Sequence, residues 1–386
     1  MTRVHYISPS LVPSPSANSI HVIRQCEGFS QSGIDITLYA RRATPSAHDL
    51  PSQINLFYGV NAQSWDLVTF HSNISQAQVL TIGAMALGPV LRAPRSDIVL
   101  SRNLYCAYAL AVLRRPILFE THQLEIGIRK YMQKWIMSRP WVRTVAISRS
   151  LVTCLEEYHS TRISAPVVLH DAAPDGINMI EPCDRRRHLA RLLNIELEWL
   201  WRWDIICGYF GQFHPGRGIE IIEMMAVERP SSLFLLFGGS DAVIAAKKIA
   251  APPNLLFMGQ VSHQFSLSVQ AAVEVLLMPY QHSVSIGVKG HDTARWMSPM
   301  KMFEYLASGV PIICSDLPVL REILIDCKNA LLVPPASTDD WSSALDLLIN
   351  DNHLARSIGK AAHDQYYHKH TWKHRAKALL SAAGYQ

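Results

Sequence analysis

Short apolar runs rich in β-branched and aromatic residues recur along the chain, each followed by a longer amphipathic stretch. In the first half the runs fall at 4–8, 35–39, 98–101, 117–121, 144–147 and 167–169. In the second half they fall at 205–210, 233–238, 255–258, 275–278, 312–315 and 331–333. Their apolar residues are contiguous rather than alternating, as expected where helices cover both faces of a parallel sheet. The intervening stretches predict helices. Residues 16–31 follow two prolines and place Ile20, Ile23, Cys26 and Phe29 near one side. Residues 299–308 have Ser298 as a candidate N-cap, Pro299 at the first helical position and Gly309 as a stop. Segments 338–349 and 353–367 follow the same style. The alternation predicts an α/β protein of two doubly wound halves. A polar, arginine-rich connection around 184–191 and 194–204 adjoins the boundary.

In open parallel sheets ligands bind beyond the carboxyl ends of the strands. The loops after Ile7, Thr121, Phe210, Phe237, Met258 and Met278 are therefore expected to line a cleft between the halves. Composition agrees with this picture and narrows it. With 49% hydrophobic and 17% charged residues the chain can bury substantial cores, which excludes a disordered protein. Its longest apolar stretches, 80–91 and 104–113, fall short of the roughly 20 residues that span a bilayer. The first ten residues, M-T-R-V-H-Y-I-S-P-S, offer no secretory apolar core. Seven scattered cysteines without a C-x-x-C pair fit reduced thiols better than disulfides or a zinc ribbon. The expectation is a soluble cytoplasmic protein. Its formal charge of +5 is uneven: residues 1–178 carry 16 basic and 11 acidic residues, whereas 179–386 carry 20 of each. The first half therefore suits anionic partners, whether phosphorylated substrates, anionic lipid or nucleic acid.

Three segments carry candidate chemistry. In S-P-M-K-M-F-E-Y (298–305) the helix start leaves first-turn N–H groups available to phosphate, Lys301 adds a full charge, and Glu304 lies one turn on along the same face. A carboxylate there can accept two hydroxyl hydrogen bonds, as a ribose diol requires. The same residues also read as an ordinary amphipathic helix with an exposed Lys301–Glu304 pair. In G-Y-F-G-Q-F-H-P-G-R-G-I-E (208–220) Gly211 permits close backbone approach at a strand end, and Arg217 offers a planar fork for a diphosphate. The spacing departs from G-x-G-x-x-G, which disfavours nicotinamide binding; a glycine-rich turn with a solvated arginine is the alternative. Third, His122 closes the run 117–121 and Arg102 follows the run 98–101, both at strand carboxyl ends. For a lone histidine such as His122, a packing role is the commoner reading.

Other features exclude chemistry. No G-x-S-x-G or G-x-x-x-x-G-K-[ST] occurs, and His370 and His374 lack a third metal ligand. Residues 129–143 interleave Arg129, Lys130, Lys134, Arg139 and Arg143 with Tyr131, Trp135, Ile136, Met137 and Trp141. Such a stretch fits an anionic membrane interface or a basic helix whose aromatics face inward.

Taken in order, these segments resemble the retaining glycosyltransferases of family 4, in the subgroup with S-P-x-K-x-F-E-Y. The resemblance rests on A-N-S-I-H-V-I-R-Q-C-E-G-F-S-Q-S-G-I-D-I-T-L-Y-A (17–40), the glycine-rich segment, N-L-L-F-M-G-Q-V (254–261), residues 298–324 and the closing helix 371–383. It implies the GT-B fold: two Rossmann-like domains facing across a cleft, at 1–180 and 181–366, with 367–386 packing back on the first. It also implies that the second domain binds a nucleoside-diphosphate sugar and the first contacts the acceptor. By that resemblance Glu304 binds the ribose, Arg217 the diphosphate and His122 the donor sugar. Gly211, Gln212, Val261, Ser298, Pro299 and Met300 fall in matching nucleotide-sugar segments. Asn18 and Arg102 are candidate acceptor or sugar contacts.

Two positions depart from the family pattern. The first glutamate of E-x7-E is Trp296 here, so Lys301 and the loop 283–295, with Lys289 and His291, are expected to compensate. A further basic residue of the family is Gln212. The implied reaction is glycosyl transfer with retention, catalysed by His122, Arg217 and Lys301. With no Asp-x-Asp triplet, neither a metal nor another cofactor is expected. The acceptor is expected to be a glycan or lipid-linked hydroxyl in polysaccharide or glycolipid assembly, at the inner face of the membrane and without nucleic acid. A sugar-nucleotide epimerase of the same fold and a silent nucleotide-sugar-binding subunit are the alternatives.

Overall fold

The computed structural model describes residues 2–43, 49–71, 75–285, 287 and 292–385, with 75–78 as backbone alone. The chain forms two units: Met1–Ala172 with Thr371–Gln386, and Ala173–His370. The first is built on β1 (Arg3–Val12), β2 (Asp35–Arg42), β3 (Asp66–Phe70), β4 (Ile98–Ser101), β5 (Ile117–Thr121), β6 (Val142–Ala146) and β7 (Val167–Val168). These strands are parallel in the order β3-β2-β1-β4-β5-β6-β7. Central β1 pairs Val4 with both Ile36 and Ile98, and Val4, Tyr6 and Ile7 are fully buried because helices cover both faces. Strand β3 was not foreseen. Its D-L-V-T-F lies at the sheet edge, half-buried, and lacks the continuous apolar run that marks a central strand.

The second unit contains β8 (Ile206–Phe210), β9 (Leu233–Phe237), β10 (Leu255–Gly259), β11 (Val275–Met278), β12 (Ile312–Ser315) and β13 (Leu331–Val333). They form a parallel sheet in the order β10-β9-β8-β11-β12-β13. Strand order reverses between β1 and β4 in the first unit and between β8 and β11 in the second. In doubly wound sheets those reversals open the crevice that holds ligands at the strands' carboxyl ends.

The unit limits differ from those expected at 180 and 366. Ala173 N donates to His370 O at 2.9 Å, and Tyr366 Oη donates to Pro174 O at 2.5 Å. These bonds hold 173–180 and the end of the helix Asn352–Lys369 inside the second unit. The last helix, Trp372–Ala382, starts from an N-cap at Thr371 and belongs to the first unit. There it lies on the helix Ala17–Ser30, whose buried side carries Val22, Ile23, Cys26 and Phe29. The approach is set by Gly28: a Cβ there would lie 2.3 Å from the Trp372 carbonyl oxygen. Among the described residues no helix is long and apolar enough to cross a membrane.

Gly28→Ala is expected to push the terminal helix off its seat and destabilise the protein by about 1–3 kcal/mol, since a backbone oxygen cannot swing aside as a side chain can. Denaturant unfolding monitored by far-ultraviolet circular dichroism checks this.

Candidate functional site

In the second unit the reversal between β8 and β11 brings two loops into backbone contact. Gly216 and Gly218 have φ of +80° and +75°, and a Cβ on either would lie 1.8 Å from the carbonyl oxygens of Ser283 and Pro279 respectively. Only glycine permits both the left-handed backbone and this approach. Arg217, pinned between them, donates from Nη1 to Tyr280 Oη at 2.9 Å, with its guanidinium 5.2 Å from the Tyr280 ring centre. Gly211, at the end of β8 with φ +148°, leaves room for Lys301, whose Nζ would lie 3.6 Å from a Cβ at that position.

Lys301 comes from the helix Met300–Ser308. Its Nζ lies 4.1 Å from the Tyr209 ring centre and 4.6 Å from that of Tyr280. The ammonium is enclosed and has no hydrogen-bond partner among the described residues. Burial, then the nearby charge of Arg217, pushes its pKa well below the usual lysine range. The aromatic faces recover part of the lost hydration. What the arrangement lacks is an anion: two cations share one aromatic wall beside helix N–H groups that have no intrahelical acceptor.

One turn on, Glu304 is 8% exposed, which excludes the exposed-pair reading. His263 Nε2 lies 2.7 Å from its Oε1, and Gln270 Nε2 donates to Oε2 at 3.3 Å. Val261 sits two residues before His263, in the loop after β10. The helix starts one residue later than expected: Pro299, not Ser298, is the N-cap, and it supplies no side-chain bond. Ser298 is buried, Pro299 and Met300 are half-buried, and Trp296 is half-buried in the preceding turn. The Gln212 carbonyl accepts from Tyr209 Oη at 3.0 Å, while the residue is exposed. Lys289 and His291 lie outside the described residues.

The first unit gathers a different set. Glu120, on β5, has a fully buried side chain and is the hub. Its Oε1 accepts from Arg375 Nη2 at 2.7 Å and from His122 Nε2 at 2.8 Å, and lies 3.0 Å from His21 Nε2. His21 Nδ1 lies 2.8 Å from Asp171. Arg102 donates from Nη2 to Asn18 Oδ1 at 2.9 Å and to His122 Nδ1 at 3.3 Å. Three expected contacts, Asn18, Arg102 and His122, thus form one chain of bonds. Burial, then Arg102, pulls His122 down to about 4. The ring is neutral at physiological pH, and the Nε2–H tautomer satisfies both of its bonds. Burial opposes ionisation of Glu120, but Arg375 and the histidines outweigh it and hold the carboxyl well below its usual range.

His21, Glu120 and His122 also bring metal-ligating atoms within 4.8 Å of one another. Arg375 already occupies the same Glu120 oxygen and Arg102 abuts His122, so positive charge stands where a cation would sit. The residues fit a hydrogen-bonded ion cluster better than a metal centre. Sequence reasoning missed His21, Asp171 and Arg375, which are far apart in the chain, and the caging Tyr209 and Tyr280. It also missed His263, two residues beyond N-L-L-F-M-G-Q-V.

Residues 258–381 match a family model described as glycosyl transferase-like. The D-inositol 3-phosphate glycosyltransferase of Nocardia farcinica is 24% identical over 300 residues, 72% of this chain and 60% of that protein. A phosphatidyl-myo-inositol mannosyltransferase of Mycolicibacterium smegmatis is 25% identical over 119 residues, 31% of this chain and 28% of that protein. Among solved structures, HepE of Anabaena in complex with UDP superposes with a TM-score of 0.73 at 13% identity, over 98% of this chain and 99% of that one. The sucrose-phosphate synthase of Thermosynechococcus elongatus does so with 0.69 at 16% identity, over 99% and 98%. The two parallel-sheet, Rossmann-like units have the GT-B fold that these solved structures share.

Because His122 binds its proton more weakly folded than unfolded, its contribution to stability is present above about pH 6.5 and is lost as pH falls toward 4, at about 1.4 kcal/mol per pH unit. Glu120 and Asp171, both depressed, extend acid sensitivity to lower pH. His122→Gln is expected to flatten the stability profile between pH 6.5 and 4 relative to the native protein, as measured by urea unfolding at stepped pH.

Proposed function

We propose that the protein is a retaining glycosyltransferase that moves a sugar from a nucleoside diphosphate to an acceptor hydroxyl. The observation that carries this reading is the enclosed Lys301 ammonium, without a hydrogen-bond partner among the described residues, beside Arg217 and a helix start. A diphosphate supplies the missing counter-charge. Glu304, presented one turn away and oriented by His263, accepts the ribose hydroxyls. HepE, of like fold, is known in complex with UDP and with UDP-glucose, which supports a nucleotide sugar as co-substrate.

Chemistry follows from charge. As the bond from the anomeric carbon to the phosphate oxygen breaks, negative charge grows on the leaving diphosphate. Arg217, Lys301 and the N–H groups at Met300 and Lys301 are fixed in advance to meet it, which lowers the barrier without reorganisation. These cations do what a divalent metal does elsewhere, so the reading is metal-independent, with no cofactor beyond the donor. The acceptor oxygen bonds to the same face of the sugar, and its proton passes to the departing phosphate oxygen. In the first unit Arg102, whose Nη1 has no partner among the described residues, and Asn18 offer hydrogen bonds to acceptor hydroxyls, while neutral His122 holds Arg102 in place.

A lipid-linked or glycan acceptor at the cytoplasmic membrane face suits the basic first unit. Within 129–143 the apolar residues divide: Ile136 and Met137 are buried, and Trp141 donates to Ala111 O at 2.9 Å. Tyr131 remains 69% exposed, next to Ile126 and Ile128, with Arg129, Lys130 and Lys134 on the same helix or its start. That surface combines apolar tips with cations, as an anionic interface requires.

Incubation with labelled UDP-, GDP-, ADP- and dTDP-sugars and a lipid-linked acceptor extract is expected to yield transfer or donor hydrolysis; epimer formation, or saturable binding without turnover, would replace this reading. Lys301→Met is expected to lower kcat by about 100- to 1000-fold, and Glu304→Ala to weaken nucleotide binding by more than about tenfold. Arg129, Lys130 and Lys134 changed together to Glu are expected to abolish co-sedimentation with phosphatidylserine vesicles.

A further inference from the structure

The amino-terminal edge of the second sheet holds a cavity of about 450 Å³, at the opposite end of its strands from Gly211 and Lys301. Ile205, Val275 and Pro311, which precede or begin β8, β11 and β12, form its floor. Its volume falls in the roughly 300–1,000 Å³ range of small-molecule sites. Arg185 projects into its lining from the helix Arg185–Leu193 and is only 5% exposed. Its Nη2 donates to Gly309 O at 3.0 Å, but its Nε is buried with no partner and it makes no ion pair among the described residues.

Four carboxylates line the cavity: Glu181 and Asp204 are solvent-exposed, and the other two are committed. Glu274 is held by both Nε and Nη2 of Arg186, each at 2.8 Å, and by the Ile206 N–H at 2.9 Å. Asp364 pairs with Lys360 at 2.6 Å. Burial, only partly offset by the charges of Glu274 and Glu181, pulls Arg185 down to about 10. Fully buried cations are rare unless paired. Met179, Leu348, Ile349 and Ala355 give the remaining wall an apolar character, and exposed Arg356 lies at the rim.

We infer that this cavity is a second ligand site, which takes a small organic anion: a carboxylate or phosphate on Arg185, with an apolar body against Leu348, Ile349 and Met179. The site is separate from the nucleotide region and does not depend on the glycosyltransferase reading. It touches the same helix from its other end, because the Gly309 carbonyl that Arg185 holds closes Met300–Ser308.

Isothermal titration of the full chain with phenyl phosphate, 3-phenylpropionate and the neutral 3-phenylpropanol tests the inference. At least one anion is expected to bind saturably, with the alcohol at least about tenfold weaker; the tighter anion identifies the headgroup. Arg185→Met is expected to weaken that binding by about 30-fold or more, the usual cost of removing one member of a buried charge pair. Ala355→Trp, which fills the cavity and leaves Arg185 in place, is expected to abolish it, and serves if Arg185→Met does not fold. Failure of both anions to bind, binding unchanged in these variants, or binding lost in Lys301→Met but not in Arg185→Met would overturn the assignment.

Discussion

Backbone contact between the loops that leave β8 and β11 is the constraint on which the second unit's chemistry depends. Two carbonyl oxygens press against Gly216 and Gly218 so closely that neither position tolerates a Cβ. The clamp fixes Arg217 against Tyr280, and Tyr280 with Tyr209 walls in Lys301. Two like charges are thereby confined at a place with little water and no carboxylate in contact with the ammonium. Such a site is unfavourable when empty of anions and gains most when one arrives, since its donors need no rearrangement.

The two units treat buried charge in opposite ways. In the first, a carboxylate is surrounded by its own arginine and two histidines: Glu120 collects Arg375, His122 and His21, and Asp171 steadies His21 from the other side. That cluster is neutralised internally, so it serves to hold His122 in one tautomer and one orientation. In the second unit, Lys301 near the carboxyl edge and Arg185 at the amino edge stay without an ion pair among the described residues. Residues 179–386 balance 20 basic against 20 acidic side chains, so net charge conceals these two buried cations.

Much of the architecture was legible along the chain because buried parallel strands leave contiguous apolar runs, and helix ends leave Pro and Gly. The edge strand β3 escaped because half-burial dilutes that signal. Lys301, Glu304 and Arg217 stood out because they sit within a few residues of a recognisable helix start or glycine turn. His263 did not, since its role comes from contact with Glu304 across 41 residues. Arg375 was harder still: it meets Glu120 across 255 residues.

The identity of the buried strands and the local chemistry of S-P-M-K-M-F-E-Y and G-R-G were written in the sequence itself, because each depends on neighbours within one or two turns. Tertiary structure alone decided which charges were neutralised. Whether a buried cation meets a carboxylate, an aromatic ring or an empty cavity depends on residues far apart in the chain. Periodicity carries no information about such meetings, because the energy of a buried charge is set by what surrounds it in space.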